Sequence, residues 1–315
     1  MPHDSSLPLS RAASLSLMRR IHAAHSAAAL PVLSAAAPLP PRALADEERL
    51  ALQRESIVET LRRERLASPR LSLVEFGAGD ASLSREAWRA AAAGRFCVVD
   101  RKLRAVGEGG EGGEGGEGFR PRVLCADVSE LEAEELCDAV EPGEGGTVVL
   151  SNHLCGRALD ESILLSVDAW HRSSPGKLAG VFAVTCCHDG CSWRSYLGKS
   201  FLKSCGLDGA VDFEQMRRWT KMAPRRNAPA EGRARVVREA SRLGISCNAA
   251  AQLGSQCREI LDTGRALYLQ ALGFEVRMVQ HVDFRVTADC VMIQAVHRSH
   301  IDGPSSNDIV HQSQA

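Results

Sequence analysis

Five short apolar runs alternate with helix-patterned segments between residues 71 and 185, which predicts an α/β fold built on a parallel, doubly wound sheet. Two further observations support that class. The first run breaks into a Gly-x-Gly turn at Gly77 and Gly79 and resumes as a helix, the way nucleotide-like ligands are admitted at a strand end. Gly77, Asp100, Asp127, His153 and His188 each follow the carboxyl end of a run, and open α/β sheets bind ligands on that rim.

The elements follow in order. Residues 1–45 are rich in Ala, Ser, Pro and Leu, with arginines Arg11, Arg19, Arg20 and Arg42 against the acid Asp4. That composition predicts an unfolded leader, and it also fits a mitochondrial targeting segment. From Asp46, Leu50, Ile57, Leu61 and Leu66 among charges predict a helix. The first strand is expected at 71–77 and its helix at about 80–93, with Leu83, Ala87 and Trp88 on one face. Arg95 to Val99 reads as the second strand and ends at Asp100, 21 residues after Gly79. An acid there is placed to take both ribose hydroxyls of a nucleoside, or to pair with Arg101 or Arg104 in a loop.

The Gly/Glu repeat at 107–118 has no apolar side chain to bury, so a flexible insertion is expected in place of a crossover helix. Arg122 to Ala126 reads as a third strand, and Asp127 at its end could accept from an adenine amino group. Thr147 to Leu150 and Leu178 to Thr185 read as the fourth and fifth strands, with a helix at 157–170 between them. A helix at Arg258–Leu272 stopped by Gly273, then strands at Phe274–Val279 and Cys290–Val296, complete the domain at 46–298. Residues 299–315 read as a frayed tail.

Composition sets outer limits. Hydrophobic residues at 44% and charged residues at 24% fit a globular chain, and no run of about 18 apolar residues predicts a membrane span. Eleven cysteines, an odd number and none before Cys97, read as reduced thiols rather than a disulfide framework. Cytoplasm or nucleus is the expected compartment, with the mitochondrion added by the Arg/Ser/Ala-rich leader. The net charge of −1 does not announce a nucleic-acid binder, but residues 215–242 are strongly basic, and Pro224 and Pro229 are expected to break them into loops. Arg217, Arg218, Lys221, Arg225 and Arg226 are candidate phosphate contacts there, with Trp219 to stack on a base.

The glycine turn separates two cofactor classes. The dinucleotide fingerprint wants a third glycine where this chain has Ser82. The pattern Glu75-x-Gly77-x-Gly79 instead resembles the first motif of class I S-adenosylmethionine-dependent methyltransferases. That resemblance implies a Rossmann-like sheet with an antiparallel last strand, S-adenosyl-L-methionine as cofactor, and Glu75 near the methionine ammonium group. Glu75, Gly77, Gly79, Asp100, Asp127 and His153 are the candidate cofactor-binding residues.

A narrower resemblance rests on rarer motifs. These are Val74 to Gly79, Val99-Asp100-Arg101, Asp127 to Leu131, and His153-Leu154-Cys155-Gly156 with Asp160. They continue with Cys186-Cys187-His188 with Cys191, Trp193, Tyr196 and Gly198, and with Ile260 to Arg265 followed by Tyr268-Leu269. Spanning about 71–296, they resemble the eukaryotic tRNA ribose 2′-O-methyltransferases that modify nucleotide 4 of the acceptor stem, the tRNA:m4X modification enzymes. The resemblance implies a tRNA acceptor-stem substrate. The chain departs from the family pattern at Asn152 and Asp189, and no cysteine precedes Cys97 to build the zinc modules usual ahead of the domain.

A ribose 2′-hydroxyl is a poor acid, so transfer needs a base within hydrogen-bond reach or a cation that favours the alkoxide. His188 is the favoured base or orienting group, with His153 and Asp189 as rivals. Cys155, Cys186, Cys187, His188 and Cys191 form an alternative zinc set; gap-filling thiols are the expected role, and no metal is assigned. Two competing readings are a related double-cysteine methyltransferase with another substrate and a non-catalytic S-adenosylmethionine- or RNA-binding module.

Overall fold

A computed structural model describes residues 9–301 apart from 38–43, 92–93, 103–117, 141–142, 155, 173, 175–176, 208 and 225–229. In chain order the elements are α1 (Arg11–Ala28), β1 (Val32–Ser34), α2 (Asp46–Arg63), β2 (Ser72–Phe76), α3 (Ser82–Ala90), β3 (Arg95–Val99), β4 (Arg122–Leu124), α4 (Ala133–Ala139), β5 (Thr147–Ser151) and α5 (Arg157–Trp170). They continue as β6 (Leu178–Val184), α6 (Lys199–Ser204), α7 (Ala210–Trp219), α8 (Ala230–Leu243), α9 (Cys247–Ala271), β7 (Phe274–Gln280), β8 (Val291–His297) and α10 (Arg298–Ile301).

One sheet runs in the order β1-β7-β8-β6-β5-β2-β3-β4. All neighbours are parallel except β8, which is antiparallel to both β6 and β7. This is the class I methyltransferase-like, doubly wound architecture with the antiparallel last strand. The chain moves outward from β2 to β4, then crosses back to place β5 on the other side of β2. A crevice at the carboxyl ends of β2 and β5 follows from that reversal.

Alternation within the strands supplies both faces. Val74, Phe76, Val99, Val149 and Val181 point to the layer containing Leu136 of α4, Ile163 of α5 and Leu269 of α9. Leu73, Phe96, Leu150 and Phe182 point to the opposite layer, against Ile57 and Leu61 of α2 and Leu83 of α3.

α9 joins the sheet to a helical cap. Its second half packs on the sheet, whereas Leu253, Cys257 and Ile260 join Phe213, Met216 and Trp219 of α7 and Leu17 and Ile21 of α1. The helix begins eleven residues before the expected Arg258, because Ser246 caps it by accepting from the Ala249 N–H at 3.1 Å.

Two expectations are corrected, and a third falls on residues outside those described. The leader is folded over most of its described length: Ser14, Leu17, Ile21 and Ala24 of α1 are buried at helical spacing, and β1 adds to the edge of the sheet beside β7. Its Ala/Ser richness hid an apolar stripe of Leu17, Ile21 and Ala24 behind the Ser10 cap. The basic stretch at 215–242 is not a set of loops but includes the end of α7, a 3-10 turn at Thr220–Met222, and α8. The Gly/Glu repeat lies outside the described residues except at Gly118, as does the tail beyond Ile301.

Truncating Ile21, which is fully buried, is expected to destabilise the protein by roughly 2–5 kcal/mol. Urea unfolding of Ile21→Ala checks this; an unchanged midpoint would mean that α1 is peripheral.

Candidate active site

The glycine loop after β2 is held from two sides. Gly77 and Gly79 take φ of +72° and +57°, backbone that glycine adopts without strain. The Gly77 N–H donates to the Val99 carbonyl at 2.8 Å, and the Gly79 N–H donates to Asp100 Oδ2 at 3.0 Å. Asp100 Oδ1 also accepts from the Lys102 N–H at 2.7 Å. Behind the loop, Glu75 is buried and its Oε2 accepts from the Ser84 N–H at 2.9 Å and hydroxyl at 2.6 Å. Burial pushes the Glu75 carboxyl up to about 7 against the lowering pull of those Ser84 bonds. Asp127 stands at the next tip, where the Ser129 N–H and hydroxyl hold its carboxyl below the usual range; Arg101 pairs with it at 3.5 Å.

This loop suits a cationic nucleoside better than a pyrophosphate. The N–H groups of Gly77 and Gly79 are spent on the protein, so they do not form an anion cradle. Asp100 stands on the loop instead, and an ionised carboxylate has about four acceptor sites, so it keeps capacity for hydroxyls. A Cβ placed on Gly79 would meet nothing within 4 Å, leaving an open approach to the backbone. Glu75 holds the start of α3 rather than facing the open rim.

The β5 and β6 tips close against this loop. A Cβ on Gly77 would stand 3.0 Å from Leu154 Cδ1, and one on Gly156 would stand 2.4 Å from the Gly190 carbonyl carbon. Only glycine at 156 lets the two tips touch. His153 is exposed and takes φ of +62°, an uncommon conformation for a non-glycine residue. Gln53 Oε1 lies 2.7 Å from its Nε2, and the Gln53 amide donates to the Arg49 carbonyl at 3.2 Å. That orientation makes Nε2 the donor and leaves Nδ1 as the lone-pair nitrogen. His281, missed in the sequence, is buried nearby; burial first, then His153, pushes its imidazole down to about 4.

Beneath the tips lies a buried ion network. Arg265 of α9 donates through Nε to Asp160 Oδ1 at 3.0 Å and through Nη2 to Asp160 Oδ2 at 2.8 Å. Its Nη1 donates to Asp262 Oδ1 at 3.0 Å. Asp262 also accepts from the Thr185 hydroxyl at 2.9 Å and lies 2.8 Å from His188 Nε2. Arg258 Nε donates to His188 Nδ1 at 3.3 Å, so Nε2 carries the ring proton toward Asp262. Burial alone would raise the Asp262 carboxyl, but His188 and Arg265 outweigh it and hold it below the usual range.

The candidates therefore separate. His188 is buried with both ring nitrogens engaged, so it stands as an orienting group rather than a base open to substrate. Asp189 pairs with Lys221 at 2.8 Å, and its carbonyl accepts from Arg217. Arg217 and Arg218 are both held by Glu214, while Arg225 and Arg226 lie outside the described residues. Trp219 is 1% exposed and donates to Glu239 at 3.2 Å, which removes it as a stacking platform. It continues the buried Phe213 and Met216 stripe of α7, a core pattern that flanking arginines disguised.

For the zinc alternative, Cys191 Sγ is occupied by Arg265 Nη2 at 2.9 Å, and Cys155 lies outside the described residues. No three His, Cys, Asp or Glu side chains form a metal-binding group among the described residues.

A family model described as methyltransferase TRM13 matches residues 52–296. The chain belongs to the TRM13 methyltransferase family. Curated relatives named tRNA:m(4)X modification enzyme TRM13 or its homolog are 24% identical in Mus musculus over 82% of this chain and 25% identical in Scheffersomyces stipitis over 78%. The human homolog is 23% identical over 78% of the chain. The chain spans 66%, 64% and 63% of the mouse, yeast and human relatives' lengths. Among solved structures, coclaurine N-methyltransferase bound to N-methylheliamine and SAH overlaps at a TM-score of 0.32 and 10% identity, covering 92% of this chain and 88% of that one. That overlap is too loose to carry an argument. The TRM13 match takes in every rim tip and the whole ion network, whereas α1 and β1 precede it.

Because Glu75 has a higher pKa folded than its ordinary 4.5, the folded state binds more protons between the two values and loses stability as pH rises from about 4.5 to about 7. Glu75→Gln is expected to remove that loss, which is at most about 3 kcal/mol. Its Tm relative to wild type should rise between pH 4.5 and pH 8; a pH-independent difference would contradict the buried-carboxyl assignment.

Proposed function

We propose that this chain is an S-adenosylmethionine-dependent tRNA methyltransferase acting on the ribose 2′-hydroxyl of nucleotide 4 in the acceptor stem. The observation that carries the reading is the meeting of three tips at the β2/β5 crevice. Carboxylates lie on the β2–β4 side, and a strained, anchored histidine lies on the β5 side. Membership of the TRM13 family and the names of its tRNA-modifying relatives support the substrate class.

S-adenosylmethionine, when bound, supplies an activated methyl group on a positively charged sulfur. Asp100 and Asp127 set a negative field suited to that charge and have acceptor capacity for the nucleoside. Gly77 and Gly79 keep the loop narrow enough for close approach. The protein's remaining task is to align the ribose oxygen and remove its proton.

His153 is the acceptor of that proton in this reading. Gln53 fixes its ring through Nε2, an arrangement in which a third group orients the base. Strain at a non-glycine residue with positive φ is expected where function requires a fixed direction. His188 acts behind it, tying the β6 tip to α9 through Asp262.

Labelled S-adenosylmethionine, a tRNA transcript and mass mapping test the proposal. The expected product is a ribose methyl at nucleotide 4. His153→Gln should lower kcat by roughly 10²–10⁴-fold with binding of S-adenosylhomocysteine retained. Methylation of a base or another nucleotide, or a fully active His153→Gln, would contradict the corresponding assignment.

A further inference from the structure

Two concavities adjoin the β6 tip. One is a cavity of about 180 Å³ whose walls include Thr185 and Asp262 at the ion network, Arg258 of α9, and Phe284 on the β7–β8 loop. The other is a groove of about 770 Å³ between α8 and the start of α9, lined in part by Lys221, Arg233 and Arg235. Ala223 and Pro224 belong to the walls of both, so the two are neighbours along one path.

The chemistry along that path changes in order. The groove end is cationic, with Asp189 paired to Lys221 at 2.8 Å and Glu231 as the other acid of its wall. At the cavity end, Arg258 gives Nε to His188 and Nη2 to Asp289. Its Nη1 makes no hydrogen bond among the described residues. Glu259 is paired with His25 at 2.5 Å, and Asp262 is engaged by His188, Arg265 and Thr185.

Phe284 stands at the mouth and is 42% exposed. Its turn is anchored: the Val286 N–H donates to the Asp283 carbonyl at 2.8 Å, and Val282 and Val286 are buried against Leu44 and Cys290. A phenylalanine held toward solvent by a turn with buried flanks offers a fixed aromatic face. The cavity is smaller than the roughly 300–1,000 Å³ of ordinary ligand pockets, so it suits one sugar-phosphate unit with its base outside, against Phe284.

We propose that the RNA strand carrying the target ribose follows this path. Arg233 and Arg235 take its phosphates, Arg258 takes a phosphate or hydroxyl in the cavity, and Phe284 stacks on a base at the cavity mouth. The inference rests on the RNA-substrate reading above and moves the RNA contacts away from Trp219, Arg217 and Arg218, which are committed to the fold. Direct contacts fall on a backbone and one aromatic face, so the surface recognises strand shape more than base sequence.

Fluorescence anisotropy of a labelled acceptor-stem RNA hairpin, measured with S-adenosylhomocysteine across a salt series, tests the path. Phe284→Ala is expected to weaken binding about tenfold or more. The Arg233→Gln/Arg235→Gln double variant should lower the slope of log K against log salt by about 1–2. Circular dichroism melts like those of wild type show that both variants fold. Wild-type affinity in Phe284→Ala, or an unchanged slope in the double variant, overturns the path while leaving the transferase reading intact. A wild-type protein that binds no RNA overturns both. RNA binding with both expected losses but no ribose methylation supports the path and removes the transferase reading.

Discussion

The guanidinium fork of Arg265 is the constraint around which the rim is arranged. It grips Asp160, four residues beyond the Gly156 contact, and Asp262, whose other partners are His188 and Thr185 at the β6 tip. One side chain on α9 thereby ties the start of α5 to the end of β6. Lysine could not substitute, because the bidentate bond to Asp160 and the third bond to Asp262 use the planar fork. Such a network contributes little net stability compared with well-packed apolar residues, yet breaking one partner leaves an uncompensated buried charge. Its consequence is geometric: the two tips that form the β5 and β6 side of the crevice are held in one relation.

The rim built on that fixture is electrically divided. Asp100 and Asp127 stand at the ends of β3 and β4, whereas Arg258, Lys221, Arg233 and Arg235 gather beyond β6. The division coincides with the point where the strand order reverses, between β2 and β5. A cationic donor on one side and an anionic chain on the other would each meet the opposite charge. His153 lies at the boundary, fixed by Gln53 from α2, an element outside the Gly-loop and double-cysteine motifs.

Much of this was legible in the sequence because it depends on local pattern. The apolar runs at 71–77, Arg95–Val99, Thr147–Leu150 and Leu178–Thr185 locate parallel strands to within a residue, and Gly77 and Gly79 locate the loop. The family motifs named Asp160, His188, Asp262 and Arg265 without revealing that they form one cluster, since their contacts span up to 105 residues. Trp219 was misread because arginines beside an aromatic look alike in an RNA surface and in an amphipathic helix; only the third dimension distinguishes them. α1 was hidden by alanines and serines, although Leu17 and Ile21 follow its Ser10 cap at helical spacing. Arg258, Phe284 and His281 had no local signal, because a β7–β8 loop and a helix far away in sequence bring them to the rim.

Native-state hydrogen exchange on Arg265→Lys tests the central claim most directly. The variant keeps the charge and loses the fork, so amides at 151–157 and 185–191 should exchange faster together, with those of α2 and β3 unchanged. Protection at both tips equal to wild type would contradict the claim that Arg265 holds them in register.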